Sequence, residues 1–350
     1  MARFFGRNFG TGLLIGCGVA IAVAVSAIAY ERYDTKTLKR TVRRDAVHCG
    51  VSTGLPGFSA QDGKGNWAGF DVDFCRAIAA AIFDDPQKVR FVPLDAKERF
   101  DELASRKIDV LARNSTWTMS RETEYYLQFA GVSYFDGQGF MVPRAREKTS
   151  ALELDGSTVC VQEETTTALN LADFFEANNM KHEAKVFGRL DDLFNAYASG
   201  RCDVLTADVS QLYALRLKHP RPGEHEILPD IISKEPLGPV VRQKDDDWHL
   251  LVKWTLFALI NAEELGIDST NIDEAMRSKK PEVMRFVGTE GEYGEGLGLT
   301  RDWALRIVRH VGNYGEVYER NVGNGSPLGI PRGLNQLWNA GGILYAPPIR

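Results

Sequence analysis

The sequence predicts an α/β fold of two lobes, with parallel-dominated sheets flanked by helices and two hinge crossings. Three observations lead to this prediction. Apolar runs of strand length alternate with segments of helical period, which is the order expected of a parallel sheet covered by helices. This plan occurs twice, over residues 46–112 and 156–218. Two extended connectors, residues 134–144 and 235–243, carry the chain across to the second unit and back.

The composition fits such a fold and argues against several other classes of protein. A chain of 350 residues with 44% hydrophobic content can bury a core large enough for two lobes. Charged residues make up 25%, which is unlike a disordered chain or a polytopic membrane protein. Without residues 1–29 the chain has 40 basic and 47 acidic residues, a net charge of −7. This acidic body is not expected to bind nucleic acid, which requires basic patches.

The first 29 residues have the layout of an export signal. Arg3 and Arg7 precede an apolar run that ends in Ala27-Ile28-Ala29, the A-x-A pattern at which secretory signals are cleaved. The run approaches the length that spans a bilayer, so an uncleaved anchor over residues 10–30 is the alternative. A lipoprotein box at residues 14–17 is a third alternative, disfavoured by the apolar residues that follow it. All three routes deliver the body to the same side of the membrane.

Four cysteines remain in the exported body, and they are expected to form disulfides. In an oxidising compartment the economical pairing joins Cys49 to Cys75 and Cys160 to Cys202. Four buried free thiols are the alternative. The sequence has no Cys-x-x-Cys spacing and its six histidines are scattered, so we expect neither a metal site nor a cofactor.

The first unit predicts three strands and two helices. Strands are expected at residues 46–52, 89–94 and 108–112, and helices within residues 67–83 and 95–107. Phe74, Ile78 and Ile82 recur at helical spacing in the first helix, and Asp95 is expected to open the second. The charged residues 30–45, which precede the unit, predict a tether or a short leading helix.

The second unit repeats the plan, and a long helix follows it. Strands are expected within residues 156–162, 184–189 and 202–208, and helices within residues 163–179, 190–201 and 209–218. A further helix over residues 245–266 is expected to be capped by Asp247 and stopped by Gly266. Residues 268–350 are rich in glycine and aromatic residues, with a helix over residues 302–312, and their pattern predicts no role.

These elements predict the domain boundaries. Residues 1–29 form a signal peptide or membrane anchor, residues 30–45 a tether, residues 46–138 with 239–267 the first lobe, residues 139–238 the second lobe with the hinge strands, and residues 268–350 a C-terminal extension.

The stretch RNSTWTMSRETE, which follows the third predicted strand, supplies half of a candidate binding site. Asn114 and Thr116 lie at the carboxyl end of a strand, where α/β sheets bind ligands. Arg121 follows them. A guanidinium combined with neutral hydrogen-bonding groups suits a carboxylate. The alternative is that Arg121 only pairs with a neighbouring glutamate on a solvated helix.

The second unit supplies the complementary half of the site. Thr165 and Thr166 begin a predicted helix, whose N-terminal N–H groups suit an anion, and Asp208 at the end of a strand suits an ammonium. Together the two halves fit an α-amino acid, which has both charges on one carbon. The alternatives are that the threonines only cap their helix and that Asp208 only caps a helix beginning at Val209.

Several strings resemble the polar amino acid solute-binding family, and within it the periplasmic general L-amino-acid-binding proteins of bacterial ABC transporters. They are GLPGFSAQDGKGNWAGFDVDFCRAIAAAI, IDVLARNSTWTMSRE, GRCDVLTADVSQLYALR, HVGNYGEVYERNVG and GGILYAPPIR, and the resemblance runs from about Ala46 to Arg350. It implies a type II periplasmic-binding fold that closes around a free L-amino acid and presents it to a permease in the inner membrane. It also implies a periplasmic, monomeric protein without enzymatic activity.

In the first lobe, the resemblance assigns Arg121 to the ligand α-carboxylate. Thr116 matches a residue that offers a hydroxyl and an N–H, and Asn114 matches one whose carbonyl contacts the ammonium. Arg99 matches a contact to the side-chain carboxylate in glutamate and aspartate binders. The alternative for Arg99 is a solvated charge beside Asp95.

In the second lobe, Thr166 with Thr165 matches the carboxylate donors, and Asp208 matches the ammonium-binding carboxylate. Glu164 is a departure, because the family usually has glycine at this position, which puts the approach of that backbone to the ligand in question.

The first loop indicates which side chains the ligand carries. Members of the family selective for basic amino acids have an acid and an aromatic where this sequence has Ser52 and Leu55. We therefore expect a broad range of L-amino acids with polar or acidic ones favoured. Two alternatives are a secreted dehydratase or lyase, for which Glu164 is the candidate acid or base, and a membrane-anchored sensor or assembly subunit.

Overall fold

The computed structural model describes residues 37–350, so the predicted signal lies outside the described residues. The strands are β1 (Val47–Ser52), β2 (Ala60–Gln61), β3 (Trp67–Ala68), β4 (Val89–Leu94), β5 (Val110–Leu111), β6 (Leu127–Phe129), β7 (Tyr134–Asp136), β8 (Gln138–Pro143), β9 (Ser157–Gln162), β10 (His182–Phe187), β11 (Val204–Asp208), β12 (His225–Ile227), β13 (Glu235–Leu237) and β14 (Val240–Arg242). The helices are α1 (Thr37–Arg44), α2 (Phe70–Phe83), α3 (Arg99–Ala104), α4 (Met119–Glu124), α5 (Thr166–Ala177), α6 (Leu190–Ala198), α7 (Val209–Lys218), α8 (Asp246–Glu264), α9 (Ile272–Ala275), α10 (Pro281–Val287), α11 (Trp303–Val311) and α12 (Tyr314–Asn321).

The first lobe is built on a five-stranded sheet in the order β4-β1-β5-β14-β6. β1 pairs in parallel with β4 and β5, and β14 pairs antiparallel with β5 and β6. Side chains alternate between the two faces, as expected of a strand covered on both sides. Val47 and Val51 pack in the cluster that contains α2 and α8, and Leu94 and Leu111 pack in the cluster that contains α3.

The second lobe repeats this construction with a sheet in the order β10-β9-β11-β8-β12. β9 pairs in parallel with β10 and β11, and β8 is antiparallel to β11 and β12. Val159 and Val161 pack with Leu171 of α5, and Cys160 between them packs in the cluster that includes Leu193 of α6.

The two connectors predicted to cross between the lobes pair with one another. β7 and β13 form a two-stranded antiparallel ribbon in which Asp136 pairs with Glu235 and Tyr134 pairs with Leu237. β7 leads into β8 of the second sheet, and β13 leads into β14 of the first. The chain therefore crosses between the sheets twice at one place, which confirms the predicted hinge crossings.

Two predicted helix starts are wrong. α3 begins at Arg99 instead of Asp95, because the Asp95 carboxylate lies 3.6 Å from the Arg189 guanidinium instead of capping. Asp245, not Asp247, is the N-cap residue of α8, and its carboxylate accepts a hydrogen bond of 2.8 Å from Thr37 N at the start of α1. The first residues of α1 are thereby held to the body.

Both disulfides join the cysteines that the sequence pairs. Cys49 of β1 is bonded to Cys75 of α2, and Cys160 of β9 is bonded to Cys202 just before β11. Each bond therefore fastens an inner strand of a sheet to another segment of its own lobe.

The C-terminal extension packs against the first lobe. α11, within the predicted helix over residues 302–312, lies along α2 and α8, and α12 contacts the same two helices. Within residues 37–350, no helix combines the length and apolar character needed to cross a bilayer.

Candidate functional site

A cleft lies between the lobes, at the carboxyl ends of strands from both sheets. It is lined mainly by residues at or after the ends of β1, β5, β9 and β11. All the predicted site residues line it: Arg99, Asn114, Thr116, Arg121, Thr165, Thr166 and Asp208.

Arg121 is buried in the cleft wall with 7% of its surface exposed. Its Nη1 donates a 2.6 Å hydrogen bond to the carbonyl of Thr116, and its guanidinium lies over the Phe100 ring at 5.3 Å. Burial lowers its pKa, and the nearby carboxylate of Asp208 acts in the opposite direction. The alternative of a solvated helical pair is wrong, because Arg121 faces the cleft and Glu122 instead accepts a bond from Phe129 N.

Arg99 is also buried, with 3% of its surface exposed, so the alternative of a solvated charge is wrong. Its Nη2 donates a 3.3 Å hydrogen bond to the carbonyl of Glu164 in the other lobe, while its Nε has no hydrogen-bond partner among the described residues. Burial lowers its pKa well below the usual value, and repulsion from Arg113 and Arg121 adds to this effect.

Arg113 is a third buried guanidinium that sequence reasoning missed. Its Nε donates to the carbonyl of Leu94 at 2.8 Å, and burial lowers its pKa to about 10. A charged residue two positions after the fully buried strand β5 was the available signal.

Asn114 adopts a backbone conformation with a positive φ of +27°. Its N–H donates to the Asp71 carboxylate at 3.2 Å, and its Nδ2 lies 3.5 Å from Oε1 of Gln211 in the other lobe. Its Oδ1 is buried without a hydrogen-bond partner among the described residues. Burial raises the pKa of Asp71, another acid that the sequence did not single out, to about 7.

Asp208 occupies the N-cap position of α7, but its side chain makes no capping bond. Instead it lies in the cleft, where burial raises its pKa well above the usual value. Repulsion from Asp136 and Glu235 raises the pKa further. Arg121 and Arg99 act in the opposite direction. The interpretation of Asp208 as a helix cap only is therefore wrong.

The two threonines of the second lobe do not cap their helix through their side chains either. Thr165 is the N-cap residue of α5, and its hydroxyl donates to the carbonyl of Gln162 at 2.7 Å. The hydroxyl of Thr166 donates to the Glu235 carboxylate at 2.9 Å. The N-terminus of α5 nevertheless faces the cleft, since Thr165, Thr166 and Thr167 all line it.

Glu164 adopts the left-handed conformation that glycine favours, with φ of +56°. Its side chain is exposed, and its carbonyl meets the Arg99 guanidinium. The loop thus keeps the backbone shape expected of a glycine at this position, and the residue contacts the first lobe through its backbone carbonyl.

Two acids of the hinge ribbon, Asp136 and Glu235, were missed as site residues. Glu235 is 1% exposed, and its carboxylate accepts hydrogen bonds from Thr116 at 2.5 Å and Thr166 at 2.9 Å. Burial raises the pKa of Asp136 to about 6, although the N–H groups of Gly137 and Ser210 donate to its carboxylate. The available signal was the presence of one acid inside each of the two predicted connectors.

The cleft therefore presents guanidinium groups from the first lobe and a carboxylate from the second. Arg121 and Asp208 line the same space and influence each other's pKa. This arrangement can hold a small solute that has a negative and a positive group close together. Among residues 37–350, no cluster of three His, Cys, Asp or Glu side chains could hold a metal ion.

Two curated relatives match nearly the whole chain. The general L-amino acid-binding periplasmic protein of Rhizobium johnstonii is 55% identical over 95% of this chain and 98% of its own length. The glutamate/glutamine/aspartate/asparagine-binding protein of Rhodobacter capsulatus is 47% identical over 94% of this chain and 98% of its own length.

A solved structure has the same architecture. An ABC transporter/periplasmic binding protein from Brucella ovis, with glutathione bound, superposes with a TM-score of 0.89 at 51% identity. The match covers 90% of this chain and 100% of that one. The predicted type II periplasmic-binding fold is thereby confirmed.

The profile described as bacterial extracellular solute-binding proteins, family 3, matches residues 47–267, which include both sheets and all the cleft residues named above. The C-terminal extension, residues 268–350, lies beyond the matched region. The chain therefore belongs to family 3 of the bacterial extracellular solute-binding proteins.

Proposed function

We propose that this solute-binding protein is a periplasmic receptor for free L-amino acids, with polar and acidic ones favoured, and that it delivers them to an ABC permease. The observation that carries the proposal is the placement of Arg121 and Asp208, from different lobes, in one small cleft. An amino-acid zwitterion supplies the complementary charges on a single carbon. Its ammonium also suits Asn114 Oδ1, a buried acceptor without a partner among the described residues.

Arg121 is the proposed partner of the α-carboxylate. A guanidinium forms paired hydrogen bonds with a carboxylate, and the N–H groups at the start of α5 add donors from the second lobe. Asp208 is the proposed partner of the ammonium. Because the ligand contacts both lobes at once, its binding favours the closed arrangement over an open one.

Arg99 and Arg113 support a preference for acidic side chains. Both guanidinium groups are buried beside the cleft, and Arg99 Nε has no partner among the described residues. Ser52 and Leu55 line the cleft where an acid and an aromatic would favour a basic side chain. The names of the Rhizobium and Rhodobacter relatives, which refer to general L-amino acids and to glutamate, aspartate and their amides, agree with this preference.

A second candidate ligand is a γ-glutamyl peptide. The relative from Brucella ovis has glutathione bound, and it is 51% identical to this chain. The γ-glutamyl end of glutathione has the same zwitterion as a free amino acid, and its other end adds a carboxylate. The charges of the cleft suit either ligand.

Binding without catalysis is part of the proposal. The alternative of a dehydratase or lyase depended on Glu164, whose side chain is exposed and whose backbone carbonyl accepts a hydrogen bond from Arg99. The family supports an extracytoplasmic location. We propose export to the periplasm as a monomer, and N-terminal sequencing of the native protein distinguishes cleavage near Tyr30 from retention by residues 10–30.

Calorimetry with a ligand panel tests the proposal. Purified protein, unfolded and refolded to remove co-purified solute, is titrated with L-glutamate, L-glutamine, L-alanine, L-lysine and glutathione. We expect saturable binding of L-glutamate and L-glutamine, and weaker binding of L-lysine. Absence of binding to every amino acid would refute the amino-acid proposal, binding of glutathione alone would establish the peptide candidate, and chemical conversion of a recovered ligand would indicate an enzyme.

A further inference from the structure

Glu235 holds an unusual position in the hinge ribbon. Its side chain is almost completely buried, and both carboxylate oxygens accept hydrogen bonds. Oε2 accepts from the hydroxyls of Thr116 and Thr166, and Oε1 accepts from Asn170 Nδ2 at 2.8 Å and from the Ser233 hydroxyl at 2.6 Å. No described basic side chain forms an ion pair with it. Its side-chain hydrogen bonds therefore all come from neutral donors.

These donors come from both lobes. Thr116 follows β5 of the first sheet, whereas Thr166 and Asn170 belong to α5 of the second lobe. The hydroxyls of the two threonines lie 3.4 Å apart, so the lobes meet at this carboxylate. Ser233 differs from these donors, because it lies two residues from Glu235 in the same hinge segment.

A carboxylate buried to this extent requires hydrogen bonds to both oxygens. A hinge motion that moves α5 away from β5 would remove donors of one lobe or the other. The energy of those bonds is available only when the lobes are together. The carboxylate thus contributes to the equilibrium between open and closed forms, independently of any contact with a solute.

We propose that Glu235 is the closure latch of this receptor, a buried carboxylate that fastens Thr116 of the first lobe to Thr166 and Asn170 of the second. The proposal rests on the proposed function, in which the lobes open and close around a small solute. The latch acts through the same two threonines that line the cleft, so it also determines how they contact the solute.

The direction of the hydroxyl protons follows from the latch. A threonine hydroxyl has one proton, and in Thr116 and Thr166 that proton is directed at Glu235. Towards the cleft these hydroxyls present only lone pairs, so they accept from the ligand ammonium. The family resemblance had predicted hydroxyl donors for the carboxylate. The latch leaves the carboxylate to Arg121 and to backbone N–H groups.

Asn170→Ala tests the latch without altering the cleft, because Asn170 does not line it. The variant loses one bond between the hinge carboxylate and the second lobe. We expect a larger radius of gyration than the wild type by small-angle X-ray scattering without ligand, and a return to the wild-type value at saturating L-glutamate. We expect the affinity for L-glutamate, measured by calorimetry, to fall about 10-fold, the effect of one hydrogen bond to a charged group.

Ser233→Ala is the matched control. It removes one donor from the same carboxylate oxygen as Asn170, and also the 3.4 Å bond from Gln138 N. The backbone bond from Ile232 N to the Gln138 carbonyl still joins these two segments, so no link between the lobes is broken. We expect its radius of gyration and its affinity to remain close to those of the wild type.

Three results would overturn the latch. The first is an Asn170→Ala variant whose radius of gyration and affinity equal those of the wild type, and the second is an equal effect of Asn170→Ala and Ser233→Ala. The third is tighter binding of L-glutamate by Asn170→Ala, which would mean that Glu235 competes with the solute. Should the wild type bind none of the amino acids, the proposed function fails, and scattering from the ligand-free proteins alone still decides whether the latch exists.

Discussion

Arg121 is the residue on which the proposed recognition of a carboxylate depends. It is nearly buried, it is fixed by the Thr116 carbonyl and the Phe100 ring, and it lies in the same cleft as Asp208. A ligand carboxylate in this position would be removed from water. Removing its partner would then leave a desolvated charge unpaired.

Arg121→Ala is expected to weaken binding of L-glutamate by about 2–5 kcal/mol for this reason. Calorimetry measures the loss, and Arg301→Ala, at an exposed arginine of the C-terminal extension, is the control. A loss below about 1 kcal/mol, which is within the range of an exposed ion pair, would contradict the role assigned to Arg121.

Arg99→Met is expected to change selectivity more than overall affinity. The substitution keeps an apolar stem of similar length but removes the proposed partner of a side-chain carboxylate. It also removes the bond to the Glu164 carbonyl, so all ligands are expected to bind somewhat less tightly. We expect L-glutamate to lose at least about 10-fold more affinity than L-alanine, the effect of one charge-assisted hydrogen bond. Equal losses for both ligands would show that Arg99 serves closure only.

Because the pKa of Asp136 is raised in the folded protein, we expect the free energy of unfolding to depend on pH. Burial raises its pKa to about 6, above the value of about 3.9 for an unfolded chain. The folded state therefore binds the proton more tightly, and the contribution of Asp136 to stability is complete below about pH 4 and is lost as the pH rises to about 6. The loss is on the order of 3 kcal/mol.

Asp136→Asn is expected to remove this loss, because an amide does not ionise and its oxygen still accepts from Gly137 N. Urea unfolding at pH 4.5 and pH 7.5 measures the effect. The free energy of unfolding of the variant relative to the wild type should rise between the two pH values. A constant difference would mean that Asp136 is ionised in the folded protein throughout this range.

At the scale of elements, the C-terminal extension is fastened to the hinge ribbon. Asn335 accepts a 2.7 Å hydrogen bond from Phe135 N and donates one of 3.0 Å to the carbonyl of the same residue. The hydroxyl of Tyr314 donates to the carbonyl of Ser133 at 2.8 Å, and Tyr318 stacks on Tyr134. The side chain of Asn335 thus pairs with the backbone N–H and carbonyl of Phe135 in β7, as a neighbouring strand would.

Asn335→Ala is expected to destabilise the protein by about 1–3 kcal/mol, since it leaves a backbone N–H and a carbonyl of β7 unpaired. Asn324→Ala, at an exposed position of the same extension, is the control. Chemical denaturation compares the two variants. Equal stabilities of the two would show that the extension does not support the hinge ribbon through Asn335.

The strands and helices were largely predictable, because apolar periodicity determines which residues face the core. The strand at residues 89–94 has the predicted bounds. One predicted connector contains β7 and β8, and the other contains β13 and β14. The starts of α3 and α8 were not predictable, because several acids could cap each helix and distant partners decide between them. Asp95 faces Arg189, and Asp245 accepts from Thr37.

The cleft was predicted in its main residues and missed in its buried acids. Strand-end position and family resemblance identified Arg121 and Asp208. The donors to Glu235 include Thr116 and Asn170, which are separated from it by 119 and 65 residues. No local pattern could show that they meet, so the burial of this acid became evident only from the fold.

At the scale of the whole molecule, three groups of contacts meet at the hinge. The lobes contact one another through the bond between Arg99 and the Glu164 carbonyl and through Glu235, and the extension holds the outer side of β7. Arg332 of the extension also pairs with Glu263 of α8 at 2.6 Å and 3.0 Å. Closure of this receptor is therefore expected to depend on the extension as well as on the two lobes.

The central claim is that one cleft binds an amino-acid zwitterion from both sides, with the guanidinium of one lobe and the carboxylate of the other. A crystal structure of the complex with L-glutamate tests it most directly. We predict that the α-carboxylate lies within about 3 Å of the Arg121 guanidinium and the ammonium within about 3 Å of the Asp208 carboxylate, the range of ordinary hydrogen bonds. A ligand that contacts only one of these two side chains, or that binds outside the cleft, would contradict the account.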